Sequence, residues 1–392
     1  MTDSGFKNEE TLEEVDDDKL GHALWKLHLD LRNGHTVDAT APLHPIMDRI
    51  PLEHHISEEF VTLIAIAFQT RQFDVISAGI MSRFPGICSV EIAECRELPL
   101  PYLVRISRFD RVRLRLEFSP ALSGYNEVRV QVLFLVWFLP LLERCLSLKT
   151  YNVGSVVLNQ WDGGVVPGLA YCSNSYNHLL IPDNVFVPSQ AYKAYKCALE
   201  TAKISWNNKC PICFWRGSTT GQRPSPSWES LPRVQLVRHT EQFGSRYNVG
   251  LSSVVQIRDS EELEAIKASG LMKEVVDPVA YQHYKYVIDI DGNTNAWAGL
   301  FQKLLSGSVV LKIASPKGYR QWYYSRLEPW VNYVPVDCSF GDLDQKVRWL
   351  ANNDDVAERI ALAGRELAWS LSYDSEMDRG ARTIDLALRV FS

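Results

Sequence analysis

The sequence has no long apolar segment. Its longest uninterrupted run, residues 132–142, contains eleven residues and includes Pro140, whereas a membrane-spanning helix needs about 20 apolar residues. The N-terminal residues are acidic and polar, not basic and then apolar, so no secretory signal peptide is recognisable. We therefore predict that 132–142 is a buried core segment and that the protein is cytoplasmic, with peripheral contact to a membrane surface as the less favoured alternative.

Cysteine and histidine are few and lack a metal-site spacing. The eight cysteines are scattered, and the close pair Cys210 and Cys213 has no second pair or regularly spaced histidines nearby, as a zinc site would require. Reduced buried thiols are the favoured interpretation, with redox activity of the pair as a minor alternative. The adjacent His54 and His55 would face different directions on a helix or strand, which favours surface residues.

The charge excess is confined to the N-terminus. Residues 1–19 contain eight acidic and two basic residues, which accounts for the whole net charge of −6 over 392 residues. The neutral remainder argues against a nucleic-acid-binding protein. We predict a disordered acidic tail at 1–19, and the length of the chain predicts two domains.

The hydrophobic pattern of residues 284–312 predicts a strand, a turn, a helix and a second strand. A β-rich apolar run at 284–290 is followed by turn-forming Asp291-Gly292-Asn293 and then by apolar residues at helical spacing. A right-handed crossover would begin the helix at the carboxyl edge of a parallel sheet. Asn293 and Asn295 would then lie at a helix N-terminus, where unpaired N–H groups suit a phosphate.

A second phosphate-binding candidate is the loop that contains Arg216, Gly217, Ser218 and Thr219. Its guanidinium, free backbone and hydroxyl groups suit a phosphate, although the Gly-Lys-Ser/Thr ending of a P-loop is missing. Arg233 opens the following element and is, on its own, equally consistent with an ordinary surface arginine.

Asp162 ends another predicted strand and is followed by two glycines. Acids in this position carry chemistry in many α/β proteins, but from this motif alone a turn-forming role is favoured.

Elsewhere the pattern predicts the outline of the remaining elements. It predicts mostly helical structure over residues 20–110, a strand at 112–118, and a segment at 128–148 that begins as a strand and continues as a helix. It also predicts a capped helix from Ser260 and amphipathic helices after residue 343.

Four segments, taken in order, resemble glycosyltransferase family 90, the CAP10-like group. This group includes the Rumi-type protein O-glucosyltransferases and lipopolysaccharide-modifying relatives. The segments are FWRGST at 214–219, YKYVIDIDG at 284–292, SGSVVLK at 306–312 and WYYSRLEPWVNYVPVD at 322–337. The resemblance covers about residues 155–370 and is much weaker before residue 150.

The resemblance implies an α/β protein of the GT-B type. Two Rossmann-like domains would face each other across a cleft, and the last helix would cross back to the first domain. The implied limits are 20–190 for an N-terminal acceptor-side domain, completed by a crossing helix at 372–392, and 205–370 for a C-terminal nucleotide-sugar-binding domain.

The resemblance also implies an inverting glycosyltransferase with a UDP-sugar donor, glucose or xylose being favoured. Asn159 and Asp162 match the family's Asn-x-x-Asp segment, which makes Asp162 the expected general base. Cations and N–H groups around the departing diphosphate would lower the barrier. The donor-binding residues expected from all the motifs are Arg216, Gly217, Ser218, Thr219, Arg233, Asp291, Gly292, Asn293 and Asn295.

Two further features bear on the chemistry. Rumi-type enzymes carry a second arginine where this chain has Trp297-Ala298-Gly299, so Arg216 and Arg233 would take over its role, the donor preference would differ, or a neutral donor such as Asn295 would serve. The Asp289-x-Asp291 pair resembles a manganese-binding motif, but it ends a strand of GT-B type. We therefore expect neither a metal nor a cofactor.

The expected acceptor is a hydroxyl of a glycan such as lipopolysaccharide or capsule, because no secretory signal or endoplasmic-reticulum retention sequence is visible. Three alternatives stay open. They are a protein O-glycosyltransferase acting on serine, a catalytically inactive protein that binds a sugar nucleotide, and a phosphate-handling α/β enzyme unrelated to sugars.

Overall fold

The computed structural model describes residues 17–35, 43, 47, 57–121, 124–295 and 297–392, with residues 17–23 described as backbone only. The predicted disordered tail lies outside the described residues except for its last three, which begin the helix α1 (Asp17–Arg32). The predicted surface pair His54 and His55 also lies outside them.

The first half of the chain forms a mixed sheet. Its strands are β1 (Ser89–Glu94), β2 (Leu103–Arg108), β3 (Arg113–Phe118), β4 (Gly154–Asn159), β5 (Gly168–Ala170), β6 (Cys172–Ser173) and β7 (His178–Leu180). Six of them form one sheet in the order β1-β3-β2-β4-β5-β7. Strand β2 runs antiparallel to both neighbours and the other pairs are parallel, so this sheet departs from an all-parallel Rossmann sheet.

Helices α2 (Glu58–Gln69), α3 (Phe73–Arg83) and α4 (Tyr125–Leu146) belong to the same half. The prediction of mostly helical structure over 20–110 missed strands β1 and β2, and the prediction that 128–148 begins as a strand is wrong. Helix α4 is continuous through Pro140. It is largely buried, which explains its nearly continuous apolar sequence. None of the described helices is both long and apolar enough to cross a membrane.

The second half forms an all-parallel sheet. Its strands are β8 (Cys210–Ser218), β9 (Tyr247–Ser253), β10 (Tyr284–Asp289), β11 (Val309–Ile313) and, after the short β12 (Arg320–Gln321), β13 (Val334–Val336). The order is β13-β11-β10-β8-β9, with every pair parallel. The central strands β10 and β11 are largely buried, as their apolar sequences predict.

Helices lie before, between and after the strands of this second sheet. After α5 (Lys193–Thr201), which leads into β8, they are α6 (Pro232–Glu241), α7 (Ser260–Ala268), α8 (Ala298–Leu305), α9 (Leu343–Asn352) and α10 (Asp354–Ser370). The cap of α7 is one residue earlier than predicted, because the Asp259 carboxylate accepts a hydrogen bond from the Glu262 N–H at 2.9 Å.

Two connections hold the halves together. The short strands β6 and β12, one from each half, pair in an antiparallel ribbon. The last helix, α11 (Tyr373–Val390), returns to the first half, where Asp378 receives a hydrogen bond from Arg144 of α4 at 2.6 Å. The predicted GT-B architecture is confirmed by this arrangement of two α/β units and a returning helix. The domain limits taken from the sequence stay predictions.

A buried charge cluster lies at the end of β10. The fully buried carboxylate of Asp289 accepts hydrogen bonds from Lys303 of α8 at 2.9 Å and from Lys312 of β11 at 3.2 Å. Burial alone would raise the pKa of Asp289, but the two ammonium groups outweigh it and hold the pKa at about 2. This carboxylate is therefore committed to two lysines inside the second unit.

We expect the substitution Asp289→Asn to destabilise the fold by about 3–5 kcal/mol, because it leaves two buried ammonium groups without their counter-charge. The folded pKa of about 2 lies below the unfolded value, so the carboxylate stabilises the fold above about pH 4. That contribution is lost as the pH falls towards 2. Urea unfolding at several pH values measures both effects.

The matched control is Asp355→Asn, which removes an exposed carboxylate bonded to Arg359 at 2.9 Å and should change stability little. Equal unfolding midpoints for Asp289→Asn and wild type at pH 7 would contradict the expectation, as would a difference that does not shrink in acid.

Candidate active site

A pocket of about 410 Å³ opens at the carboxyl ends of the parallel strands of the second unit. Loops that follow β8, β10, β11 and β13 build its walls. This edge is where open α/β sheets bind their ligands. The lining residues are Gln222, Arg223, Pro224 and Pro232, then residues 290–293, residues 313–317 with Tyr319, and finally Cys338 and Phe340.

The pocket lining mixes apolar and polar groups. Pro224, Ile313 and Phe340 provide apolar surface, while Ser315 and Lys317 provide a hydroxyl and an ammonium group. Such a mixture suits a ligand with a flat, largely apolar part and a charged or polar part.

The loop after β10 differs from the predicted helix start. Helix α8 begins only at Ala298, and before it the chain bends so that the Gly292 N–H donates to the Thr294 carbonyl at 2.9 Å. Asn293 and Asn295 are therefore not in the first turn of the helix. The described residues of α8 do not line the pocket, so the prediction of a phosphate at the amino end of this helix is not supported.

The polar residues of this loop have different environments. Asp291 lines the pocket, and both of its carboxylate oxygens are buried next to the side chains of Ser315 and Asn295. Burial raises the pKa of Asp291, and Lys312 acts against it. Asn295 is buried and donates to the Tyr319 carbonyl at 3.1 Å, so it supports the pocket wall from behind.

Arg233 lies directly behind the Gly292 wall of the pocket. Its guanidinium donates to the Asp291 carbonyl at 3.1 Å, to the Ile290 carbonyl at 3.2 Å and to Thr220 Oγ1 at 2.7 Å. A Cβ at position 292 would lie 2.8 Å from Thr220 Oγ1, so glycine allows this close approach. Burial lowers the pKa of Arg233 while Asp289 and Asp291 act against it.

None of the four residues of the predicted phosphate loop lines the pocket in the described structure. Arg216 is buried and donates to Asn248 Oδ1 and to Glu274 Oε1, each at 2.8 Å. Thr219 is buried and bonds through its hydroxyl to the backbone of Val255 at 2.7 and 2.8 Å. The prediction that Arg216 and Thr219 face the donor is therefore not supported. The Arg216 guanidinium is hydrogen-bonded to other side chains, and the Thr219 hydroxyl is hydrogen-bonded to the backbone of Val255.

The two remaining residues of that loop are also absent from the pocket lining. Ser218 Oγ lies 3.1 Å from Thr220 Oγ1 and 3.4 Å from Arg233 Nη1. Gly217 packs against Trp215, where an added Cβ would lie 2.4 Å from the indole.

Asp162 belongs to the first unit but contacts the second. One carboxylate oxygen accepts from Asn293 Nδ2 at 3.3 Å, and the other accepts from Trp297 Nε1 at 3.1 Å. The next residue, Gly163, lies so close to Tyr319 that a Cβ would be 3.2 Å from its ring. Asn293 and Tyr319 both line the pocket, so the half-buried Asp162 stands at the rim of the pocket.

Asn159 sets the loop that carries Asp162. Its buried side chain donates to the carbonyls of Val166 at 2.8 Å and Leu169 at 2.9 Å. The amide oxygen accepts from the N–H groups of Val165 and Val166, both at 2.9 Å. All four bonds close the loop that follows β4. The asparagine of the Asn-x-x-Asp segment therefore fixes the loop that carries the aspartate three residues later.

Trp297 is the site residue that sequence reasoning missed. The sequence showed only that the Trp297-Ala298-Gly299 region lacks the second arginine of Rumi-type enzymes. Its backbone has a φ of 37°, a region that residues other than glycine rarely adopt, and nothing in the local pattern predicts that conformation.

The fold and the site together define a two-unit α/β protein with a strand-end pocket in one unit and a carboxylate from the other unit at its rim. Residues 158–378 match the family model Glycosyl transferase family 90, which is more than half of the 392 residues. The chain belongs to this family.

Curated relatives resemble part of the chain. Human Protein O-glucosyltransferase 3 is 31% identical over 168 residues, which is 43% of this chain and 29% of that protein. Zebrafish (Danio rerio) Protein O-glucosyltransferase 2 is 27% identical over 210 residues, 52% of this chain and 38% of that protein. The chain thus spans about a third of the length of these relatives.

Among solved structures, Anabaena HepE in complex with UDP superimposes with a TM-score of 0.34 at 10% identity, covering 87% of this chain and 82% of that chain. A superposition this loose carries no argument about ligand or reaction.

We expect the substitution Asn159→Ala to loosen the Asp162 loop, because it removes two donors and an acceptor that serve buried backbone groups. Hydrogen exchange should accelerate at the amides of Val165 and Val166, and the free energy of unfolding should fall by about 1–3 kcal/mol. Mass-resolved hydrogen exchange and urea unfolding measure the two effects. The exposed Asn208→Ala serves as the control, and unchanged exchange at both valines in Asn159→Ala would refute this role.

Proposed function

We propose that the protein is an inverting glycosyltransferase that moves a sugar from a UDP-sugar to an acceptor hydroxyl. The observation that carries the proposal is the position of Asp162, a carboxylate from one unit, hydrogen-bonded to the loop that lines the pocket of the other. Membership of glycosyltransferase family 90 supports the reaction class, and the names of the relatives favour glucose as the sugar.

The pocket accommodates the nucleotide part of the donor. The uracil ring would pack among the apolar residues Pro224, Ile313 and Phe340, and the diphosphate would lie towards Gly292 and Lys317. Arg233 adds positive charge behind Gly292. Fixed positive groups beside the diphosphate would stabilise the charge that grows on UDP as the sugar departs.

Asp162 supplies the general base. Its carboxylate would accept the proton of the acceptor hydroxyl as that oxygen bonds to the anomeric carbon, and the bond from this carbon to the UDP oxygen would break. Attack from the side opposite UDP inverts the anomeric configuration. The reaction as proposed uses no metal, because Asp289 of the Asp289-x-Asp291 pair is bonded to Lys303 and Lys312.

For the acceptor we propose a hydroxyl of a glycan such as lipopolysaccharide or capsule. The second candidate is a serine hydroxyl of a protein, which the names of the O-glucosyltransferase relatives favour. Both candidates require the same chemistry at Asp162, and an acceptor panel with free glycans and serine-containing peptides separates them.

We expect Asp162→Asn to lower the turnover of UDP-glucose or UDP-xylose by about 10²–10⁴-fold, because the amide cannot accept the hydroxyl proton. UDP affinity should stay within a factor of about three, since the residue lies at the rim and not in the lining. UDP release and calorimetric titration with UDP measure these effects. Asp355→Asn is the isosteric control, and wild-type turnover in Asp162→Asn would remove the base assignment.

A second substitution tests whether UDP binds in the pocket. Ala314 is exposed and lines the pocket, so Ala314→Trp should fill the pocket and weaken UDP binding by more than about tenfold without disturbing the core. Calorimetric titration with UDP tests this. The same change at the exposed Ala351 in helix α9 is the control. Full UDP affinity in Ala314→Trp would show that UDP binds elsewhere.

A further inference from the structure

Trp297 has an unusual backbone and an unusual side-chain position. It immediately precedes helix α8 of the second unit, with φ 37° and ψ −114°. Residues other than glycine avoid this region, and such conformations recur at functional sites. The conformation therefore calls for a compensating interaction of the side chain or the backbone.

The side chain of Trp297 crosses into the first unit. Its indole packs against the core of that unit, with the ring centre 6.0 Å from that of Tyr171. The indole N–H donates to Asp162 Oδ1 at 3.1 Å. A residue that opens a helix of one unit thus completes the surroundings of a carboxylate in the other.

The backbone of Trp297 is held from the ribbon that joins the units. Its carbonyl accepts from Gln321 Nε2 at 3.3 Å, and the same amide group also lies 3.3 Å from the buried Asp183 carboxylate. Since Gln321 is in β12, which pairs with β6 of the first unit, the position of Trp297 is tied to the relative placement of the two units.

We propose that Trp297 is a positioning residue that orients the Asp162 carboxylate and couples it to the donor-binding loop. This inference rests on the proposed function, in which Asp162 is the general base. Trp297 and Asn293 donate to opposite oxygens of the carboxylate, which opposes rotation of the carboxylate plane. Both donors lie in the segment between β10 and α8, so the base is oriented only when the two units are in contact.

A neutral donor suits this task. The indole N–H is a donor only and carries no charge, so it can fix the orientation of a carboxylate without an ion pair. A guanidinium at the same place would stabilise the charged form of a carboxylate and make it a weaker base. The tryptophan thus provides orientation at a smaller cost in basicity than a guanidinium would.

The test is the substitution Trp297→Phe, which keeps an aromatic ring in the first-unit core and removes only the N–H donor. With UDP-glucose as donor, kcat should fall by about tenfold, the worth of one hydrogen bond. The KM for UDP-glucose and the affinity for UDP should change less than about threefold, because Trp297 does not line the pocket. Unchanged UDP affinity also shows that the variant is folded.

A double-mutant cycle separates positioning from a general structural role. If Trp297 acts through the Asp162 carboxylate, Trp297→Phe should not lower the residual turnover of Asp162→Asn any further. A purely structural effect would multiply with Asp162→Asn and lower the residual rate by the same factor as in wild type.

The chain provides a matched control in Trp206, which is 8% exposed and whose indole N–H donates to Asp354 Oδ2 at 3.0 Å, outside the pocket. Trp206→Phe removes the same kind of bond and should leave kcat unchanged.

Two outcomes overturn the inference while leaving the base assignment intact, namely wild-type kcat in Trp297→Phe, or multiplicative effects in the cycle. Wild-type turnover in Asp162→Asn would instead remove the base assignment and, with it, the role proposed for Trp297.

Discussion

The candidate site depends on the hydrogen bonds that the Asp162 carboxylate accepts across the boundary between the two units. Neither unit contains a complete site, because the pocket belongs to the second and the carboxylate to the first. The distances of 3.1 and 3.3 Å from Trp297 and Asn293 exist only while the units keep their present arrangement. The β6–β12 ribbon and the returning helix α11 maintain it.

The loop of residues 291–295 needs a rigid base if these bonds are to be reproducible, and the buried charges at the end of β10 provide one. Asp289 joins β10 to α8 through Lys303 and to β11 through Lys312. The loop of residues 291–295 leaves from this cluster. Arg233 then fastens its first residues from behind. Of the charged residues that the sequence motifs contain, Asp289 and Arg233 therefore support the loop, whereas Asp291 lines the pocket.

This division shows what the sequence could and could not predict. Periodicity identified β10, β11 and most of the later helices, because burial on a regular element leaves a local pattern. The Asn-x-x-Asp match singled out Asp162, and Asn159 shows why the spacing matters. The direction of the Arg216 and Thr219 side chains depends on partners far along the chain, Glu274 and Val255, which a local motif does not specify.

Trp297 could not be predicted for the same reason, because its partner Asp162 lies far along the chain. The Trp297-Ala298-Gly299 region lacks the arginine of Rumi-type enzymes, and the other cations near the pocket are few. Arg216 points away from the pocket, and Arg223 is bonded to both oxygens of Glu262 at 2.9 and 2.7 Å. Lys317 is therefore the lining cation with no carboxylate partner among the described residues.

In the proposed reaction, stabilisation of the leaving diphosphate would then rest on Lys317 and on Arg233 acting through the pocket wall. A site with so few direct cations gains more from fixed geometry than from added charge, since preorganised dipoles need no rearrangement during the reaction. The role proposed for Trp297 follows the same logic, because Trp297 would orient the base and would not neutralise the leaving group.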